Sequence, residues 1–442
     1  MRLLLFDQEG ALTSLNIAKY AGTASSMTAK SEVVVVGGGV IGITSALELQ
    51  RRGKRVLVIE PNDPGPGTSA GSAGYLSDSH IFPIARSSMI RQLPKMLVDP
   101  LGPLVIRPSY APHMVGWGLR FLNTLRPARN SAVIVALASL NRDCLAKLFE
   151  LAARCGASEY LSREGALTVC RTDADVRGQE ADLSTYRAYG VAVHAVSQKE
   201  MSELEPALTA NVAGGIFFPD EARCADPGAF GRQLAASFIA NGGSILRSKA
   251  RVLSQLPDRT WSIALEDASD VRGEIAVMCA GAWSKSLLRP LGYVVPLETE
   301  RGYHLMLPTP GVDVRRPLLF SANRFAATPM HGGLRLAGTA EFAGLDAPMN
   351  PRRSDILFDL AAPYLPGLQR GDATRWMGFR PNLPDSLPAI GKSARHVNLF
   401  FNFGHQHLGL TQSAVSAGII SDLICGNDPE IDVRPFALSR FS

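Results

Sequence analysis

Three observations predict an α/β chain of two interleaved domains. Val33-Val34-Val35-Val36 is an unbroken β-branched run, as a parallel strand buried on both faces requires. Gly37-Gly38-Gly39-Val40-Ile41-Gly42 follows and opens a helical stretch to Arg52, with Ile43, Ala46, Leu47 and Leu49 as apolar landmarks. Gly53 ends that helix, and Arg55 to Ile59 form a second buried strand that ends at Glu60. These pieces make a βαβ unit of Rossmann-like type.

The other elements follow in order. From Ala85 to about Thr124 the chain is rich in Pro, Met and Leu without clear period, and Ser131 to Ala153 then read as a helix. A second α/β stretch starts at Asp226-Pro227 with a helix to about Ala240, stopped by Gly242-Gly243. Ser244 to Val252, Trp261 to Leu265 and Glu274 to Cys279 read as strands. Pro- and aromatic-containing strands fill Val294 to Thr339, a helix spans about Arg353 to Leu360, and Trp376 to Ser421 give a loop, a short strand and a last helix. Dinucleotide-type pieces therefore lie at the start, middle and end of the chain. The expected partition is a Rossmann-like domain of residues 31–90, 198–289 and 371–430, an α+β domain (antiparallel sheet plus helices) of 91–197 and 290–370, and a tail of 431–442.

At 442 residues the chain is too long for one ordinary core. With 46% hydrophobic and 19% charged residues it has a globular composition rather than a disordered one. A net charge of +5, without a Lys/Arg block, gives no nucleic-acid signature and is compatible with anionic ligands. The six cysteines form no C-x-x-C pair, so zinc and dithiol redox chemistry lack their spacing, and a reducing cytoplasm is expected. Residues 1–30 read as polar and poorly organised until a second methionine, Met27, and are expected to be an overlong start or a disordered leader. The run Leu3 to Phe6 is too short for a signal core or a span. No transmembrane segment is predicted; peripheral contact with the inner face of a membrane is compatible with the charge.

The glycine turn carries the first chemistry. Gly37 permits the tight turn, Gly39 admits a pyrophosphate to the backbone, and Gly42 lets helix and strand pack closely. The free N–H groups at Val40 and Ile41 open the helix toward the phosphates. Glu60, about twenty residues on, suits ribose hydroxyls and disfavours a 2′-phosphate. Pro61 to Gly74 is small and polar, as a backbone lying flat on a large ligand would be, and regular βαβ repeats do not follow. FAD is favoured over a nicotinamide cofactor.

With these residues in view the chain resembles the D-amino-acid oxidase superfamily of flavoproteins, and within it the bacterial D-amino-acid dehydrogenases, from about Ser31 to Asn427. The resemblance rests on the glycine turn with Glu60; Thr68-Ser69-Ala70-Gly71-Ser72-Ala73-Gly74; Ala280-Gly281-Ala282-Trp283-Ser284; Arg335 to Glu341; Gly378 to Gly391; and Gly404 to Thr411. At Ser72 the family more often has Asn. The resemblance implies extended FAD contacting Thr68, Ser69 and Gly74, the backbone near Val252, and Ala280, Gly281 and Trp283. It places Gly404, Gly409, Leu410 and Thr411 beside the flavin. Cysteine and histidine are missing from the places where relatives attach the flavin, so a non-covalent cofactor is expected.

Arg380, between Gly378 and Pro381, resembles the family arginine that binds the substrate carboxylate; its planar fork fixes orientation as well as affinity. Thr411 is read as the N-cap of the last helix and Gly426 as its stop. In the family that helix start faces the flavin and stabilises negative charge on the reduced ring. His405 and His407 would lie beside the ring. Strand alternation puts Arg301 and Tyr303 on one face, with Tyr303 as a carboxylate donor or pocket lid; His80 and Arg324 are further candidates. No metal cluster or nucleophilic triad competes. The implied reaction is hydride transfer from the Cα of a D-amino acid or cyclic imino acid, D-proline or D-hydroxyproline among them, to FAD. Electrons then pass to a quinone, a carrier or oxygen. The competing readings are an oxidase or deaminase of glycine, sarcosine or L-amino acids, and an electron-relaying flavoprotein subunit.

Overall fold

The structure, a computed structural model, describes residues 30–86 and 101–442. The expected leader therefore lies outside the described residues, as does most of the aperiodic stretch after Ala85. Strand β1 (Lys30–Val36), helix α1 (Val40–Arg51) and strand β2 (Val56–Ile59) form the βαβ unit, β1 and β2 being parallel in register Val33 to Val56. Val33, Val34 and Val35 are wholly buried, as a strand covered on both faces must be.

Among the described residues an eight-stranded sheet runs Ser244–Leu246, β2, β1, Asp270–Met278, Trp261–Leu265, Ala250–Gln255. Asp270–Met278 forks it. Its first half pairs antiparallel with Trp261–Leu265, and its second half pairs parallel with Leu399–Phe403, which in turn carries Ala389–Lys392. One face packs on α1, on the helices Pro227–Ala240 and Cys144–Arg154, and on the C-terminal helix Gly409–Cys425, through Ile43, Leu148, Phe230 and Ile420. The other face closes over Trp261, Ile263, Leu288 and Phe401. A nine-stranded sheet holds the antiparallel strands Thr374–Asn382, Glu298–Leu307, Gly333–Phe342 and Phe325–Met330 at one end, backed by the helix Arg352–Ala361.

Several elements differ from the sequence reading. The helix expected over 131–153 is two, Pro127–Asn141 and Cys144–Arg154. The break lets buried Asn141 donate to the His80 carbonyl (2.8 Å) and the Leu145 N–H to Asp78 (3.0 Å). Both helices pack on the eight-stranded layer, and Gly214–Phe218 joins the nine-stranded sheet, so the layers interweave more finely than the boundaries drawn from sequence. Ala111–Asn123 is a helix where no period was read. The last helix starts at Gly409 with Leu408 as N-cap, not at Thr411; no side chain caps it, and it ends at Gly426 in the left-handed conformation (φ +77°). No helix among the described residues is long and apolar enough to cross a membrane.

Under the nine-stranded sheet lies a buried polar cluster. Arg301, wholly buried, donates to Glu341 (3.0 Å) and to the carbonyls of Ala347 and Pro348; Tyr303 also donates to Glu341, and Arg107 reaches its other oxygen (2.7 Å). Burial alone would raise the Glu341 pKa, but these hydrogen bonds and the two arginine charges hold it below the usual value. Glu341→Ala should cost about 3–5 kcal/mol, because it strands a buried guanidinium. Thermal melts check this, and an unchanged midpoint would mean that the Ala347 and Pro348 carbonyls alone stabilise the buried Arg301 charge.

Candidate active site

A cavity of about 1760 Å³ runs between the two sheets from Glu60 to Arg380. Its first end is built by the glycine turn. Gly37 has φ +103°, and a Cβ there would sit 2.6 Å from the Cys279 carbonyl oxygen; a Cβ on Gly42 would meet the Gly37 oxygen at 1.8 Å. At Gly39 a Cβ would have no neighbour within 4 Å. Gly37 and Gly42 thus serve packing, while Gly39 leaves space. Helix α1 begins at Val40 with Gly39 as N-cap and no side-chain cap, so its first N–H groups stay available to an anion. Glu60 accepts from the Gly38 N–H (2.8 Å) and the Asn62 N–H (2.9 Å), which fixes its carboxylate on the cavity rim. Arg232, Lys249 and Arg251 line the same end.

The middle wall is the 67–73 loop. A Cβ on Gly71 would lie 2.2 Å from the Trp376 ring, so only glycine lets the loop lie flat there. Arg335 donates to the Ala70 and Ser72 carbonyls (3.0 and 2.7 Å), Thr68 donates to the Phe379 carbonyl (3.2 Å), and His304 stacks on Trp376 while bonding the Gly71 carbonyl.

At the far end the Arg380 guanidinium donates to Glu300 at 2.6 Å, and Asn382 holds the other Glu300 oxygen at 2.8 Å. The C-terminal helix opens here with its first N–H groups uncapped. His405 is buried with both ring nitrogens unpartnered, as is Asn402 Oδ1. Desolvation lowers the His405 pKa to about 3. It lowers His407 to about 4, with the Arg380 charge adding to it, and His80 to about 3, with His407 adding to it. The three imidazoles are neutral at pH 7.

These features fit FAD. Two bare helix starts and an open Gly39 suit a pyrophosphate and an electron-rich ring, and His405 and Asn402, which carry unpartnered buried polar atoms, are among the residues that line the cavity. The family model for FAD-dependent oxidoreductases matches residues 32–423. The chain belongs to this family. The D-amino-acid oxidase of Bradyrhizobium diazoefficiens is 35% identical over 416 residues, covering 92% of this chain and 98% of the relative. D-amino acid dehydrogenase 1 of Mesorhizobium japonicum is 30% identical over 429 residues, covering 93% and 99%. Glycine oxidase from Geobacillus kaustophilus shares the fold at TM-score 0.71 and 22% identity, over 93% of this chain and 99% of that one. L-proline dehydrogenase from P. horikoshii does so at TM-score 0.69 and 18% identity, over 93% and 98%.

The cavity of this flavoenzyme is lined by most residues singled out in the sequence: Gly37, Gly39, Val40, Ile41, Glu60, Thr68, Ser69, Ala280, Gly281, Trp283, Arg380, Gly404, His405, His407, Gly409, Leu410 and Thr411. Four do not line it. Tyr303 shares a face with Arg301 as expected, but that face points into the Glu341 cluster, and Glu300 holds the cavity side. Val252 is displaced by a register shift after Ala250 and lies on the surface, 42% exposed, leaving Ala250 and Arg251 at the cavity. Gly42 packs inside the turn. Gly74 lets the loop approach Met330 and the Cys224 carbonyl. Sequence reasoning missed Glu300 and Trp376, whose partners lie about eighty residues off or across a sheet.

Gly39→Val should fold with a near-native melting point yet lose the visible flavin absorbance. Gly42→Val should lose both, since its side chain meets backbone. Equal behaviour of the two variants would contradict these separate roles. Acid sensitivity follows from the histidines. Their folded pKa values lie below the unfolded value of about 6.5, so the unfolded chain binds protons first. Their contribution to stability is intact above that pH and lost as pH falls toward 4. His405→Phe should therefore flatten the decline in melting temperature between pH 6.5 and pH 4; parallel declines would refute it.

Proposed function

We propose that this flavoenzyme oxidises a D-amino acid or a cyclic imino acid, with D-proline and D-hydroxyproline as candidates, to the imine or 2-oxo acid. The observation that carries the reading is the Arg380 fork at the far end of the cavity, held by Glu300 and faced by neutral imidazoles. Bound FAD supplies the acceptor for the Cα hydride, and the electrons pass on to a quinone or another carrier. Arg380 binds the carboxylate through charge-assisted bonds, using the N–H groups that Glu300 leaves. With the carboxylate fixed, Cα is oriented and the barrier falls by positioning. The amine must shed its proton before hydride loss, and neutral His407 and His80 admit it without adding a competing positive charge.

The names of the two relatives support the substrate class, and one is an oxidase while the other is a dehydrogenase. Cys279, the one cysteine lining the cavity among the described residues, sits at the dinucleotide end, and we take the cofactor as non-covalent. We assign the reaction to the cytoplasm, with peripheral membrane contact where a quinone accepts the electrons.

Anaerobic mixing with a panel of D- and L-amino acids tests the reading: flavin should bleach with D-amino or cyclic imino acids. Arg380→Ala should lose about 3 kcal/mol of transition-state binding, roughly a hundredfold in kcat/KM, and Arg380→Lys should recover only part. No bleaching by any amino acid would sink the proposal. Full activity in Arg380→Ala would favour an electron-relaying subunit instead.

A further inference from the structure

Behind the cavity wall lies a carboxyl group that the reaction above does not use. Glu221 is 3% exposed and sits beneath the segment 75–80. Its Oε1 accepts from Ser77 Oγ (3.0 Å) and the Ser79 N–H (3.2 Å), while Oε2 is buried without a partner. Ser77 Oγ in turn bonds His80 Nδ1 at 2.9 Å. That leaves His80 Nε2 for the cavity, which the ring lines beside His407, 5.3 Å between centroids. The backbone that carries the ring is anchored: the His80 carbonyl accepts from Asn141, and Asn141 accepts from Gln412 of the C-terminal helix (2.9 Å).

We propose that Glu221, acting through Ser77 and His80, is the final acceptor of the proton that the substrate ammonium must lose. The inference rests on the amine-oxidising reading above. His80 starts as the Nδ1–H tautomer. The ammonium proton goes to Nε2, the Nδ1 proton passes to Ser77 Oγ, and the Ser77 hydroxyl proton passes to Glu221. The amine ends neutral, Glu221 ends as the neutral acid, and His80 changes tautomer without net gain of charge.

Magnitudes favour a relay over a stationary histidine base. With a pKa near 3, His80 holds a proton poorly, whereas burial raises the Glu221 pKa to about 8, and Asp78 adds to it. The titratable groups facing Glu221 are Tyr75, Asp78 and His80 of its covering segment and Tyr186 of the helix Leu183–Ala188. Asp78, itself raised to about 7 by burial, bonds Leu145 N–H and no relay member. Glu221 is a positioning residue in this scheme, since it touches no substrate.

The test uses the FAD-loaded enzyme and a D-amino acid that bleaches it, with anaerobic stopped-flow from pH 6 to 10. The wild-type bleaching rate should rise with pH through about 8. Glu221→Gln keeps an acceptor for Ser77 but cannot take a proton. It should bleach at least tenfold more slowly at pH 9, without that rise. Ser77→Ala should behave alike, and Ser77→Thr should restore the profile. Infrared difference spectra at pH 9 should show a protonated carboxyl on substrate addition to wild type and none in Glu221→Gln. An unchanged pH profile and an unchanged carboxyl band in Glu221→Gln would overturn the relay. Failure of the wild type to bleach with any amino acid would instead overturn the amine-oxidising reading.

Discussion

Everything at this site depends on the packing of α1 against the C-terminal helix, two helices joined across nearly the whole chain. Thr44 Oγ1 donates to the Ser413 carbonyl (3.2 Å), and Arg52 pairs with Asp422 (2.6 Å) at the far ends. Both helices begin on the cavity, and neither has a side-chain cap. Uncapped first turns are usually a cost, because the N–H groups there want acceptors. Here the packing aims two such turns into one cavity, which an extended, electron-rich dinucleotide can fill from both ends.

The two layers then divide the labour. The eight-stranded sheet supplies the glycine turn, Glu60 and the bare helix starts, which form the parts of the cavity assigned to the cofactor. The nine-stranded sheet supplies Arg380 and Glu300 from adjacent antiparallel strands, paired residue to residue, so the fork is held by sheet register rather than by a loop. Trp376 and Gly71 join the layers by contact, and Arg335 ties the flat loop to the sheet. Local rigidity at Arg380 thus derives from both layers, and orientation of a carboxylate there is inherited from the fold.

How much of this was legible in the sequence follows from how local each constraint is. The constraint on Gly42 is set by backbone five residues away, and the glycine spacing exposed it; Gly37 also turns at positive φ, but the Cys279 carbonyl that it must clear lies in a distant strand connection that no spacing shows. That Arg380 lines the cavity was legible from its resemblance to the family motif between Gly378 and Pro381. Alternation put Arg301 and Tyr303 on one face correctly, but alternation cannot say which face turns inward, and Glu300 took the site. The bulge at Ala250 displaced Val252 for the same reason: a single extra residue reverses every side chain beyond it. Thr411 looked like a cap because caps are read from side chains, whereas this helix starts on bare backbone. His80 and Glu221 are joined only through tertiary contacts, so no spacing in the sequence links them.

The account stands or falls on where a substrate carboxylate sits. A crystal structure of the FAD-loaded protein, soaked anaerobically with D-proline, measures that directly. The carboxylate should lie within hydrogen-bond distance of the Arg380 guanidinium, with the nitrogen turned toward His407 and His80. A carboxylate bound away from Arg380, or a cofactor ring placed elsewhere than beside Gly404 to Thr411, would contradict it.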